Sequence, residues 1–493
     1  MTGDGRIPGE LRPGTLRLVY GDLTAADIRA EMPLITRIDR AHIAMLASRR
    51  LITPGAAARL IDCIDDLRAR DFEPLLHRSA PRGLYLMYES YLIERLGPET
   101  GGILHTGRSR NDLKATATSL LARRRLRELS EQAVRLEAVL LSRARAFQSV
   151  LMPVYTHFQA AMPVTYGYYL LGVALAVGRE VDALRDGARW LRFSPLGAGA
   201  VAGSDLEIDP AHTAWLLGFS TGPIHALDTV ASRDGLLRLL ATAAGLSVLL
   251  SRLATDMQLW STVEFGFLEF PDRLVGGSSA MPQKRNAFIL EHVKAQPGQA
   301  IGSWAAAAAQ MAGTPFTNTI EVGTEAVSSV WPGLAAVLRS VRMCQVLVSG
   351  AQPVPERMGE RARAGFTSAT AVANRLVRSG VPFRTAHQTV GDAVRQALEN
   401  GTAAGAAPTG PGGLDPLGED LGALIGAQAY GGGPGAFDPA FRAAVDGWAG
   451  RSQWLAGWRA SLAAADAAMT AEIAAVKRAG ADQAPAAVPG AAR

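Results

Sequence analysis

Apolar residues recur every three or four positions between Asp112 and Phe147, in DLKATATSLLARRRLRELSEQAVRLEAVLLSRARAF. The repeating positions are Leu113, Leu120, Leu121, Leu126, Leu129, Val134, Leu136 and Leu140. Neither glycine nor proline interrupts them, so the pattern predicts one helix of about 50 Å at 1.5 Å per residue. Long apolar-rich segments with the same rhythm follow at 164–190, 233–264, 289–311 and 325–350. Strand-like alternation is scarce. Five long helices in succession predict an all-α fold with a central bundle whose core is Leu, Ala and Val.

The flanking patterns divide the chain. Residues 1–110 read as an N-terminal helical domain, in which Thr53-Pro54 is a helix start. Residues 111–355 form the bundle, with a polar loop at 272–287. Residues 356–479 read as a smaller C-terminal helical domain broken by Gly-Pro-Ala loops such as GTAAGAAPTGPGG from Gly401. The Gly-Ala-Pro tail, 480–493, is expected to be disordered.

Charge and cysteine content narrow the classes. The net charge is +5, but the arginines are spread along helices rather than gathered in a stripe, which argues against nucleic acid as the partner. Cys63 and Cys344 lie far apart in apolar surroundings, as expected of thiols in a reducing compartment. The N-terminal residues lack an apolar core, and the longest uncharged apolar stretch, Leu239 to Ser251, is too short to span a bilayer. The expectation is a cytoplasmic protein that engages neither membrane nor nucleic acid.

Three polar segments interrupt the rods. HTGRSRND, His105 to Asp112, opens the longest one, where backbone N–H groups and two arginines suit an anion; Asn111 or Asp112 acting as a plain helix cap is the simpler reading. YTHFQAAMP, Tyr155 to Pro163, offers the Thr156 hydroxyl and the His157 ring, or merely a tight connection. GGSSAMPQKRNAF, Gly276 to Phe288, combines a mobile glycine pair with Ser278 and Lys284. A serine acts as a base only where donors stabilise its alkoxide, and loop amides and a lysine are such donors.

GGSSAMPQKRN resembles the signature of the fumarase/aspartase superfamily. HTGRSRND, YTHFQAAMPVT, SPLGAGAVAG (Ser194 to Gly203), LWSTVEFGF (Leu259 to Phe267) and GVPFRTAHQTVGDAV (Gly380 to Val394) resemble its argininosuccinate lyase branch. The likeness runs in order over roughly residues 80 to 400. It implies an all-α, three-domain chain that associates into a homotetramer with a twenty-helix core, each site shared among three subunits. It implies elimination of an amine from a succinyl group to give fumarate, with Ser278 as base and without a cofactor. Lys284 and Asn286 are implied to face the carboxylate that gains charge. Thr156, Ser109, Arg110 and Asn111 are implied to grip the dicarboxylate, with Ser279 and Met281 as further substrate contacts. His157 is implied to pair with Glu291.

Departures from that branch concentrate at the amine end of the substrate. A Tyr-Asn-Lys-Asp-Leu-Gln-Glu-Asp-Lys stretch is expected after the fourth rod, and PFTNTIEVGTEA, Pro315 to Ala326, stands there, with Glu321 and Glu325 as its charges. An acidic Asp-Glu-Asp-x-His pattern is replaced by RGLYLMYE, with Tyr85 at the histidine position. The expectation is a carbon–nitrogen lyase acting on another N-substituted aspartate, with Glu321 reading a cationic substituent. Argininosuccinate itself is the alternative, and an inactive structural or binding relative a distant one.

Overall fold

The computed structural model describes residues 11–21, 23–80, 83–399 and 420–482. The N-terminal layer holds α1 (Pro13–Tyr20), α2 (Ala25–Ser48), α3 (Pro54–Ala69), α4 (Leu84–Leu96) and the single turn α5 (Pro98–Gly101). Thr24 and Asp27 cap α2 reciprocally, and Thr53 caps α3 ahead of Pro54, so both starts follow from side-chain chemistry.

The rods are α6 (Arg110–Ala146) and α7 (Tyr166–Gly187), then, after the short α8 (Pro210–Leu216) and α9 (Ala226–Ala231), α10 (Asp234–Trp260), α11 (Phe288–Met311) and α12 (Ala326–Gly350). Their inward Leu, Val and Ala side chains, among them Leu126, Leu140, Val177, Leu240, Leu250, Leu290 and Val337, form one continuous buried cluster. α10 is long and apolar enough to cross a bilayer, but half of its apolar window is buried within this bundle.

Two features differ from the sequence-based expectation. The cap of α6 is Ser109, whose hydroxyl accepts from the Asn111 amide, while Asp112 returns a bond to the Ser109 amide; neither Asn111 nor Asp112 is the capping residue. The rod expected from 164 starts at Tyr166, because a hairpin precedes it: β1 (Leu151–Thr156) pairs antiparallel with β2 (Gln159–Thr165). Two further strands of two residues, β3 (Leu268–Glu269) and β4 (Gln352–Pro353), pair where α10 and α12 end.

Beyond the bundle lie α13 (Pro355–Ala364), α14 (Ala369–Arg378), α15 (Phe383–Glu399), α16 (Leu421–Ala427) and α17 (Phe437–Asp482). α17 is 46 residues long and runs back along α6. Arg145 reaches Asp438 at its start, Arg451 reaches Glu137 midway, and Lys477 pairs with Asp62 and Asp65 of α3 near its end. Residues 480–482 belong to its last turn. The rest of the tail, and the Gly401 loop, lie outside the described residues.

α6 fixes the distances that matter for function. Its 37 residues extend about 55 Å. α12 lies beside it in the same direction: Lys114 donates to Thr324 just before α12, and Arg143 donates to the Ala351 carbonyl just after it. α10 ends where α7 begins, with the Trp260 and Tyr169 rings 4.7 Å apart, and α11 starts beside that end, where Gln258 reaches Glu291 and Lys294.

Candidate active site

The sequence-predicted residues fall into two groups at opposite ends of the rods. At the start of α6, Ser109, Arg110 and Asn111 sit on the first helical turn. The Asp112 carboxylate is buried and accepts three backbone bonds at 3.0 Å, from Ser109, Gly197 and Gly199. The glycines are required: φ is +100° at Gly197 and +61° at Gly199, and a Cβ on Gly199 would fall 2.4 Å from the Gly203 carbonyl. Asn111 Nδ2 donates to the Ala200 carbonyl at 3.3 Å, so this loop sets the direction of the amide group. Sequence reasoning missed the role of the loop, although the G-x-G-x-x-x-G spacing from Gly197 to Gly203 was a visible signal.

Arg108 does not share in an anion site. Its guanidinium is wholly buried, 2.6 Å from Asp39 of α2, and it donates to the Tyr85 hydroxyl at 3.0 Å. Asp39 is its counter-charge. Tyr85 also meets His105 Nδ1 at 3.1 Å, and His42 Nε2 lies 2.8 Å from the Thr106 carbonyl. Residues 105–108 are therefore clamped from α2 and α4. Burial, with Arg108 and Arg110 adding to it, pushes the His105 ring down to about 4, and burial holds His42 well below the ordinary histidine range.

Glu321 stands at this end too, itself exposed, at the start of a π-helical turn, Glu321–Glu325, that leads into α12. Its own backbone amide and the Thr319 hydroxyl hold its carboxylate below the usual range.

The second group lies at the far end. Thr156 pairs with Gln159 across a two-residue turn formed by His157 and Phe158, with φ of 52° and 60°. Such turns favour glycine and asparagine; other residues in this region cost on the order of 1 kcal/mol or more each. Strain of this kind collects where a side chain must be displayed, and both side chains project into solvent, Phe158 being 83% exposed.

Between α10 and α11, Gly276 and Asn286 exchange both backbone bonds at 2.8 Å and close the serine loop. Asn286 Nδ2 donates to the Gly277 carbonyl at 3.3 Å, and Arg285 anchors to Asp272 and the Phe270 carbonyl. Inside the loop, Ser278 Oγ accepts from the amides of Ala280 at 3.3 Å and Met281 at 3.1 Å. Ser279, Met281 and Lys284 are exposed on the same loop. Glu291, in the first turn of α11, accepts from Gln258 Nε2 at 3.3 Å, and among the described residues nothing joins it to His157.

One chain thus gathers Ser109, Arg110, Asn111 and Glu321 at one end, and Thr156, His157, Ser278, Ser279, Met281, Lys284, Asn286 and Glu291 at the other. Because α6 is a continuous rod, the two groups stay about 55 Å apart.

Known proteins resemble the chain in sequence and in fold. A family model described as Lyase matches residues 82–302, and one described as Argininosuccinate lyase C-terminal matches 366–409. The chain is 36% identical to an argininosuccinate lyase of Methanoculleus marisnigri over 392 residues, 79% of either sequence. It is 32% identical to argininosuccinate lyase 1 of Shouchella clausii over 398 residues, 80% of either. Among solved structures, EDDS lyase in complex with formate superposes with a TM-score of 0.84 at 24% identity, covering 97% of this chain and 98% of that one. A class II fumarase from Schistosoma mansoni gives 0.65 at 15% identity, over 79% of this chain and 90% of that one. On these matches the chain is a carbon–nitrogen lyase belonging to the argininosuccinate lyase family of the fumarase/aspartase superfamily.

Proposed function

We propose that the protein eliminates an amine from an N-substituted aspartate to give fumarate, reversibly, with Ser278 as the base. The observation that carries this is the serine loop: two backbone amides already point at Ser278 Oγ, as a stabilised alkoxide requires. Ser278 takes the proton from the carbon next to a carboxylate. That carboxylate then gains a second negative charge, and Lys284 and Asn286 face it. Thr156 and the first turn of α6, Ser109, Arg110 and Asn111, hold the substrate carboxylates; Ser279 and Met281 line the serine side. His157, paired with Glu291, either orients a water or hydroxyl or helps protonate the departing nitrogen.

Such a site needs more than one copy, because Asn111 and Ser278 of one chain cannot meet. A homotetramer supplies the second and third copies. Large apolar side chains left exposed on the rods, Leu175, Val248, Ile301, Trp304 and Val346, support burial against other subunits. The reading places the enzyme in the cytoplasm.

The substrate is an aspartate other than argininosuccinate, because PFTNTIEVGTEA lacks the tyrosine and lysines expected at the amine end. Argininosuccinate itself is the second reading, favoured by the names of relatives at 32–36% identity. Fumarate absorbance on incubation with argininosuccinate and with N-(2-aminoethyl)aspartate separates the two. Ser278→Ala should lower kcat by at least about a hundredfold while substrate still binds. A variant keeping more than about a tenth of the activity moves the base elsewhere, to His157 first.

A further inference from the structure

His105 to Arg108 form a turn that feeds straight into α6. The Arg108 amide donates to the His105 carbonyl at 3.3 Å, and Gly107 takes φ +70°, where a Cβ would fall 2.7 Å from Ile208 Cγ2. Ser109, the cap of α6, follows at once, with Arg110 and Asn111 on the first helical turn. How the turn is held therefore sets where those three groups point. Two anchors come from α2: His42 Nε2 meets the Thr106 carbonyl at 2.8 Å, and Asp39 lies 2.6 Å from Arg108, both side chains of that pair wholly buried. The third anchor is Tyr85, the second residue of α4. Its hydroxyl stands between the two ends of the turn, 3.0 Å from Arg108 Nη2 and 3.1 Å from His105 Nδ1. The placement of protons follows from the groups themselves. A guanidinium can only donate, so the Tyr85 oxygen accepts from Arg108. Its own O–H is then left to donate, and His105 Nδ1 accepts as the unprotonated nitrogen of a neutral ring. Burial favours both states, pushing the His105 ring down to about 4 and the Tyr85 hydroxyl up, so neither is ionised near neutral pH. The Tyr85 and His105 rings lie 5.6 Å apart, and the Arg108 guanidinium lies 5.8 Å from the Tyr85 ring centre. A phenylalanine would keep that packing and make neither bond.

We propose that Tyr85 is a positioning residue of the lyase reaction: its hydroxyl fastens the two ends of the His105–Arg108 turn and so aims Ser109, Arg110 and Asn111 at a substrate carboxylate. It acts through the turn, not by contact with substrate. The inference rests on the lyase reading, since the first turn of α6 must hold the succinyl carboxylates. Those carboxylates are gripped in the ground state and the transition state alike, so the hydroxyl contributes to binding more than to the chemical step.

The test is Tyr85→Phe in the assembled enzyme. The calorimetric dissociation constant of fumarate, and KM for whichever N-substituted aspartate is turned over, should each rise at least about tenfold, while kcat stays within about threefold. A residue that only supported the fold would lower the melting temperature and leave both constants of the folded enzyme unchanged. That outcome, or wild-type values throughout, overturns the proposal. His105→Leu, which leaves Tyr85 in place, should weaken fumarate binding at least about threefold by itself. Combined with Tyr85→Phe it should add no more than about twofold to the effect of Tyr85→Phe, because the two residues act through one bond. Penalties that multiply overturn the route through His105. Fumarate binding also separates this role from the reaction. If Tyr85→Phe binds fumarate at least about tenfold more weakly than the wild type, yet the wild type releases none from argininosuccinate or N-(2-aminoethyl)aspartate, the lyase reading fails and the positioning role stands. A wild type that does not bind fumarate overturns both.

Discussion

At the residue scale, the clearest physical signature is a set of groups held in one protonation state by burial. His105 sits against Tyr85 and Arg108, with its ring lowered to about 4, and burial holds His42 well below the ordinary histidine range. A histidine depressed on folding binds fewer protons in the native state than in the unfolded chain between the two values, so stability falls as pH falls through that interval. Denaturation midpoints should therefore drop between about pH 6.5 and about pH 4, where unfolded histidine titrates and His105 does not. His105→Gln should flatten the slope in that window without abolishing it, because His42 contributes as well. An unchanged slope in that variant would place the acid sensitivity elsewhere. The candidate residue types stand in the sequence itself, in GGSSAMPQKRN and HTGRSRND. Their fine geometry does not. Ser109 rather than Asn111 caps α6 because Asp112 is drawn inward by the amides of Gly197 and Gly199, some 85 residues on. The burial of Arg108 likewise depends on Asp39 of a distant helix.

At the element scale, the long rods were legible because leucine and valine keep the 3-to-4 rhythm without breakers, and the observed ends fall within a few residues of the pattern. Two elements were hidden. The β1–β2 hairpin contains Pro153 and Pro163 and turns at His157-Phe158 without glycine or asparagine, so no ordinary turn signal marks it. α17 is diluted by alanine and glycine, and its buried positions, among them Leu455, Ala465, Met469 and Ile473, are too sparse for a clear stripe. Polar contacts add to the packing of Phe437, Leu455, Met469 and Ile473 in the cores. Arg451 forks onto the buried Glu137 and also bonds Asp182 at 2.9 Å, filling space left by Gly178, where a Cβ would lie 2.6 Å from the guanidinium. Arg451→Leu leaves the Glu137 carboxylate buried without its partner, which costs about 3–5 kcal/mol. Urea denaturation should show that loss, and Glu137→Gln in the same chain should recover part of it. A variant within about 0.5 kcal/mol of wild type would mean that the pair is solvated and α17 held by packing alone.

At the scale of the whole molecule, the length of α6 is decisive. A rod of about 55 Å keeps Ser109, Arg110 and Asn111 at one end and Ser278, the proposed base, at the other. The all-α class and the family followed from sequence order alone. The proposal that one chain is not a whole site began as an implication of resemblance, and the continuous α6 supplies a physical argument for it. The same separation yields the most direct test. Asn111→Ala and Ser278→Ala proteins should each be inactive when assembled alone. If they are mixed in equal amounts and allowed to exchange subunits, some sites receive an intact Asn111 from one chain and an intact Ser278 from another. Random assembly should restore about a quarter of the wild-type rate of fumarate release from a competent N-substituted aspartate. No recovery in mixtures shown by light scattering and mass labelling to contain both subunits, or full activity in a monomer, would contradict the shared site.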